Sequence, residues 1–214
     1  MGEGNAIFDP GCRRCDRLAG FLDEVRGSHP GYHCRPVAPF GSLSHRLLVV
    51  GLAPGLHGAN RTGRPFTGDH AGILLYRTLH AHGFASLPAS VSASDDLRLV
   101  DCRITNAVKC LPPANKPLPA EVQCCNRFLA AELQAVPQSG VVIALGAIAH
   151  GAVLRALGLK PAGARFAHGA EHALPGRRQL LDSYHCSRYN TQTRRLTAPM
   201  FDGVFARARH LLAD

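Results

Sequence analysis

The sequence predicts an α/β protein: a three-layer α/β/α sandwich whose central sheet is mostly parallel and four-stranded. Three observations carry that expectation. Four short apolar runs rich in β-branched residues fall at 47–50, 97–104, 141–145 and 179–181. Helical segments at about 71–82, 119–136 and 147–157 alternate with them, and strands alternating with helices imply a parallel sheet covered on both faces. Small and polar residues follow the strands: Gly51-Leu52-Ala53-Pro54-Gly55, Thr105-Asn106-Ala107-Val108, Gly146-Ala147 and Ser183-Tyr184-His185-Cys186. Ligands of open α/β sheets bind outside the carboxyl ends of the strands, so the chemistry is expected along that edge.

Taken in order, Leu47-Leu48-Val49-Val50 runs into a long loop and then the helix near residue 71. The second run leads through Asn106 to the helix at 119–136, and Val141 to Leu145 leads through Gly146 to the third helix. Residues 86–96 read as an ordinary polar loop and 158–176 as another rich in Gly and Ala. Neither marks a boundary, and there is no internal repeat, so residues 1–214 are expected to form a single domain.

Apolar residues make up 46% of the chain, enough for one core, and 24 Lys and Arg against 15 Asp and Glu leave a formal charge of +9. That balance suits a polyanionic partner. No apolar run approaches the length of about 18 residues that a membrane span needs, and Met1-Gly2-Glu3-Gly4-Asn5 has no signal-peptide character. A soluble, cytoplasmic protein is therefore expected. Eight cysteines in that compartment point to metal or reactive thiols rather than disulfides.

Cys12-Arg13-Arg14-Cys15 is a C-x2-C knuckle ahead of a helix, and Cys110 is followed after 14 intervening residues by Cys125, with Cys124 competing for the same role. A knuckle plus two distant singles suits a [4Fe–4S] cluster, whose corners take one Cys each from separated loops. Structural zinc more often shows two knuckles. A redox role for Cys12 and Cys15 lacks a thioredoxin-like context. Cys34, Cys102 and Cys186 read as small buried hydrophobes.

The stretch from Gly51 to Asp69, Gly-Leu-Ala-Pro-Gly-Leu-His-Gly-Ala-Asn-Arg-Thr-Gly-Arg-Pro-Phe-Thr-Gly-Asp, is too rich in glycine and polar residues to be core. It reads as a loop whose backbone approaches a ligand, with Phe66 and Asp69 at its far end. Asp69 also suits the N-cap of the following helix. This loop resembles the first motif of family 5 uracil-DNA glycosylases. Tyr184-His185-Cys186-Ser187-Arg188-Tyr189-Asn190-Thr191-Gln192-Thr193-Arg194-Arg195-Leu196-Thr197 resembles their last motif, and Ile104-Thr105-Asn106-Ala107-Val108-Lys109-Cys110 and the cysteine pattern match as well. Two departures stand out: His185-Cys186-Ser187 replaces the common His-Pro-Ser triplet, and Arg194-Arg195 replaces a Gly-Arg pair.

The resemblance implies a monofunctional DNA-repair hydrolase that cuts the N-glycosidic bond of uracil, and of other deaminated bases such as hypoxanthine. Such a cut needs a donor where charge develops on the base and an anion near the cation-like sugar, with the nucleotide flipped into a pocket. It implies Asp69 as water-positioning group and stabiliser of the sugar cation, since Leu52 and Ala53 are apolar where other families place a polar catalytic residue. His185 would donate to the base oxygen, Phe66 would stack on the base and Asn106 would read its edge, with Gly51, Ala53 and Gly55 lining the pocket. A core aromatic, an Asx turn and a solvated loop histidine are the plainer readings of Phe66, Asn106 and His185. Arg61, Arg188, Tyr189, Arg194 and Arg195 would grip and wedge the duplex. The cluster on Cys12, Cys15, Cys110 and Cys125 would staple the N-terminal segment to the loop after Asn106. A monomer acting on DNA is expected. Gly55 and Gly58 leave the pocket wall open, from which Gly58→Glu is expected to narrow the base range while sparing some uracil activity. On charge and cysteines alone, a non-catalytic iron–sulfur or zinc nucleic-acid-binding protein is the alternative.

Overall fold

The structure, a computed structural model, describes residues 8–213, so the segment Met1-Gly2-Glu3-Gly4-Asn5 lies outside the described residues. Six strands form one sheet: β1 (Phe40–Gly41), β2 (Leu47–Gly51), β3 (Cys102–Asn106), β4 (Val141–Leu145), β5 (Glu171–Ala173) and β6 (Gln179–Ser183), in the order β1-β3-β2-β4-β6-β5. The inner four are mutually parallel, and β1 and β5 pair antiparallel at the edges. The expected four strands are thus the parallel centre of a six-stranded sheet. Two- and three-residue edge strands with half-exposed or exposed side chains are too short to show a period.

The helices are α1 (Asp16–Ser28), α2 (Ala59–Thr62), α3 (His70–Ala81), α4 (Pro119–Ala135), α5 (Ala147–Ala156), α6 (Arg188–Gln192) and α7 (Ala198–Leu211). Strand β2 shows how the layers arise. Leu47 and Val49 face one core with Leu75, Leu79, Phe201 and Phe205 of α3 and α7. Leu48 and Val50 face the other, with Phe128, Leu129, Ala149 and Val153 of α4 and α5. Alternating faces that are both apolar bury the strand completely, which makes the sandwich.

The run at 97–104 is not one strand. Leu99 bridges to Ala85, and Val100 donates its N–H to the Phe84 carbonyl at 2.9 Å. Asp101, at φ +50°, turns the chain before β3 begins at Cys102. Helix α7, for which the strand pattern gives no cue, completes the α3 layer, with Thr197 capping Met200 N. In register, Gly51 pairs with Asn106 and Leu145 with Ser183, so the central strands end together.

Candidate active site

Gly51 and Asn106, the last residues of β2 and β3, lie side by side. A Cβ on Gly51 would stand 2.4 Å from Asn106 Oδ1 and 2.5 Å from Phe66 Cζ, so the amide and the ring both rest on a position only glycine can fill. Asn106 is buried, and its Oδ1 has no hydrogen-bond partner. Beyond the strands the pairing continues, with Ala107 N donating to Gly51 O at 2.9 Å and Val108 N to Leu52 O at 3.0 Å. The two site loops therefore leave the sheet as a pair.

Phe66 is held in a left-handed conformation, φ +54°, which costs a non-glycine residue on the order of 1–3 kcal/mol unless its surroundings impose it. Here they do. Helix α3 sits so close to the Phe66 carbonyl that a Cβ on Gly72 would be 1.8 Å from that oxygen, and Tyr76 Oη donates to Pro65 O at 2.8 Å. Arg64, buried before it, forms an ion pair with Asp95 and donates to Ala93 O at 2.6 Å and Ser90 Oγ at 3.1 Å. Thr67 Oγ1 lies 2.7 Å from the same serine hydroxyl. The stretch 86–96 is therefore a brace for the first motif rather than an ordinary loop.

Asp69 serves two purposes with two oxygens. Oδ1 accepts from Gly72 N at 2.9 Å as the N-cap of α3. Oδ2 faces the glycine loop, 3.8 Å from where a Gly55 Cβ would stand and 2.4 Å from where a Gly58 Cβ would. Burial raises the carboxyl pKa, opposed by the amides of Gly72 and Ala71. The geometry at Gly58 corrects an expectation: a side chain there would strike Asp69 before it narrowed the pocket, so Gly58→Glu displaces the carboxylate.

His185 follows β6 and is half-buried; desolvation holds its pKa down at about 4, so the ring is neutral at pH 7. Its carbonyl accepts from Asn190 Nδ2 at 2.8 Å, and Ser187 caps α6 just beyond. The imidazole stacks near Phe66, with centroids 5.9 Å apart and planes at 28°.

A cavity of about 420 Å³ brings Ala53, Gly55, Phe66, Asp69, Asn106 and His185 together, with Leu52, His70, Ser187 and Arg188 on its wall. Gly51 lies beneath Phe66 and Asn106 rather than on the lining. Asn115 also lines it, a residue the sequence reading passed over; it stands at φ +56° beside Ala114 at φ +52°. An Asn soon after Pro112-Pro113 is a turn signal that would have drawn attention to it. An adjoining cavity of about 870 Å³ shares Gly55, Asp69, His70, Asn115 and Arg188.

The expected DNA-contacting residues are exposed around this opening or apart from it. Tyr189 is 70% exposed on α6, Arg194 lines a third cavity with Arg77, and Arg195 lies over the Tyr184 ring at 4.8 Å. Arg61, on α2, reaches only the Gly68 carbonyl at 3.4 Å and lines neither of the first two cavities.

Cys12, Cys15, Cys110, Cys124 and Cys125 surround one space beside α1 and α4, and all eight cysteines are free thiols. Burial and mutual repulsion push Cys15 and Cys110 up to about 12 and Cys125 to about 11, so a cation is needed to hold them as thiolates. Cys110 is repelled by Cys125, Cys12 and Cys15, while Cys124 shares a hydrogen bond with Cys15 and its Sγ also lies 4.0 Å from Arg14 O. Cys125 Sγ instead accepts the Lys109 N–H at 3.2 Å. Thiolates around zinc lie about 3.8 Å apart, since Zn–S bonds are about 2.3 Å. Among the described residues no three cysteine sulfurs come within 4.8 Å of one another.

A neutral imidazole, a carboxylate, a ring and an unpartnered amide gather at the carboxyl edge of a doubly covered sheet, where α/β proteins bind their ligands. The profile of the Uracil DNA glycosylase superfamily matches residues 38–209. Over 205 residues the chain is 49% identical to the "Type-5 uracil-DNA glycosylase" of Thermus thermophilus, covering 94% of this chain and 93% of that one. Proteins of the same name in Mycobacterium bovis and Pyrobaculum aerophilum are each 43% identical, covering 98% and 92% of this chain and 81% and 87% of theirs. The chain belongs to the uracil-DNA glycosylase superfamily, in its type-5 branch.

Proposed function

We propose that this protein is a monofunctional glycosylase that hydrolyses the N-glycosidic bond of uracil and of hypoxanthine in DNA. The observation that carries the reading is the buried, unpartnered Oδ1 of Asn106 at the wall of the 420 Å³ cavity. Leaving such an acceptor unpaired costs about 1–3 kcal/mol, which a bound ring N–H recovers. With Oδ1 accepting, Nδ2 donates beside it. Uracil and hypoxanthine each present an N–H next to a carbonyl, the complement of that amide. Cytosine and adenine present an amino group next to a bare nitrogen, the reverse. Uracil and hypoxanthine share the first pattern, so an asparagine in this orientation accepts both.

Phe66 stacks on the flipped base, Ala53 and Gly55 let it approach the backbone, and Gly51 seats Phe66 and Asn106 beneath it. His185, neutral, donates to the base oxygen where negative charge develops. Oδ2 of Asp69 orients the attacking water and stabilises the cation-like sugar, while Oδ1 stays on the helix. Arg61, Arg188, Arg194 and Arg195 hold phosphates, and exposed Tyr189 is the wedge. Cys12, Cys15, Cys110 and Cys125 hold a [4Fe–4S] cluster that cross-links α1 to the loop after Asn106; hydrolysis needs no electron from it. The reading takes the whole chain as one domain working as a monomer in the cytoplasm, where thiols stay reduced.

Single-turnover assays on oligonucleotides carrying uracil, hypoxanthine, cytosine or adenine test it. Release of the first two and not the others is expected. No release of uracil overturns the reading, and uracil without hypoxanthine removes its wider half. Iron and sulfide at about four each per chain are expected of protein purified without air.

A further inference from the structure

We propose that His150, His172 and Asp182 bind one divalent transition-metal ion, at a site separate from the cysteines. The three side chains come from α5, β5 and β6, and their ligand atoms lie within 4.8 Å of one another. Among the described residues they are the only such group of histidine, cysteine or carboxylate side chains. Asp182 and His150 are buried, and His172 keeps a small exposed edge by which an ion reaches them.

His150 is held through both ring nitrogens. Its Nε2 lies 2.9 Å from the Ala164 carbonyl oxygen, which can only accept, so Nε2 carries a proton. Its Nδ1 lies 2.8 Å from Asp182 Oδ1, another acceptor, so the ring presents this nitrogen to the carboxylate, a contact that a metal ion or a second ring proton satisfies. Metal-bound histidines have this arrangement, the second ring nitrogen donating to a backbone carbonyl that fixes the tautomer. His172 Nε2 stands 3.0 Å from the other carboxylate oxygen. Nitrogen and oxygen ligands with bonds of about 2.0–2.1 Å on a tetrahedral ion are about 3.3 Å apart, so binding would widen these two contacts by a few tenths of an ångström. Two imidazoles and a carboxylate suit zinc or iron(II) rather than magnesium or calcium.

The ion would tie down the glycine-rich stretch 158–176 at the strand that delivers His185. Gly169 N donates to Asp182 O at 2.8 Å, Asp182 N to Ala170 O at 3.0 Å, and Tyr184 N to His168 Nδ1 at 3.2 Å. Phe166 packs on both His150 and Tyr184, with centroids 5.7 and 6.1 Å away. Imidazole nitrogens and carboxylates bind a metal only when deprotonated, so affinity falls in acid.

Zinc is the probe, because such sites bind it more tightly than iron(II). Protein with its full iron complement is equilibrated with micromolar zinc and freed of excess by gel filtration. About one zinc per chain is expected in addition to the iron, and zinc-edge X-ray absorption should show nitrogen or oxygen neighbours at about 2.0–2.1 Å with no sulfur at 2.3 Å. His172→Ala, at the exposed edge, should weaken zinc binding tenfold or more with iron unchanged. The proposal is overturned if the wild type retains no zinc, if sulfur neighbours appear, or if His172→Ala keeps full zinc; a proton then fills the gap at His150.

Discussion

Asp69 divides its oxygens between a helix and a cavity, so two substitutions separate its tasks. Asp69→Asn keeps an oxygen for Gly72 N and should lower single-turnover excision of uracil on the order of 10² to 10³ while melting near the wild type. Asp69→Ala should lose as much activity and about 1 kcal/mol of stability from the missing cap. Equal activity of both variants and wild type would sink the assignment. Gly58→Ala tests the same contact from the other side: its Cβ would lie 2.4 Å from Oδ2, so excision should fall toward that of Asp69→Ala with no change in base preference. A variant that merely narrowed the base range would restore the open-wall idea. For His185 the relevant variable is pH. Burial favours the neutral ring, so unfolding takes up a proton between about pH 4 and its ordinary value of 6.5, and stability falls as pH drops through that window. Activity, by contrast, should pass flat through pH 6.5, with any acid limb set by Asp69; a histidine-like limb near 6.5 would contradict a neutral donor. The capping role of Asp69 was legible in the sequence because caps are local. Its quarrel with Gly58 was not, since that contact exists only once the loop has folded back.

At the scale of elements, β2 and β4 were readable because every residue in them is apolar and buried. The edges β1 and β5 carry no such pattern, and the run at 97–104 concealed a turn at Asp101 because apolar residues also line the bridge to Ala85. The brace at 86–96 was illegible for another reason. Its polar residues look solvated, yet Asp95 accepts from Arg64, from Val91 N at 2.8 Å and from Ser92 N at 3.1 Å. Removing the guanidinium should free the brace while leaving its internal turn, because those amides still hold the carboxylate. Arg64→Leu is therefore expected to retain the fold but to speed proteolytic cleavage within 86–96, and to weaken excision through looser placement of Phe66. Cleavage within 86–96 no faster than in the wild type, with excision unchanged, would show that the arginine is dispensable.

Across the whole molecule, the N-terminal segment is the part least owned by the sheet. Helix α1 contributes Leu18 to the core beneath α4 and builds a small satellite cluster with Leu22, Val25, Cys34 and Leu111. The segment is also tied to the body by the Arg17–Glu121 pair, at 2.7 and 2.8 Å, by Val37 N on Lys109 O at 2.7 Å, by His33 N and Cys34 N on the carbonyls of Arg61 and Asn60 at 3.1 Å, and by Tyr32 Oη 2.9 Å from His57 Nδ1. Arg17 is 38% exposed, so that pair contributes little against water and salt. The cysteine spacing grouped Cys12 and Cys15 with Cys110 and Cys125, and the structure brings these four, with Cys124, around one space. Without a cluster, the thiols of Cys15, Cys110 and Cys125, raised by burial and mutual repulsion, would remain protonated. The sheet, by contrast, holds its parallel register and both cores through side chains the segment barely touches. Oxidative removal of the cluster should therefore release α1 before it unfolds the sheet. Limited proteolysis is expected to cut first within 8–36, with helical circular dichroism falling by about the share of α1. Excision should fall as well, because the loop that starts at Cys110 carries Asn115 to the mouth of the cavity. Cooperative loss of all secondary structure on cluster removal would show the segment to be part of the core, and an unchanged cleavage pattern would show that the cluster is no staple.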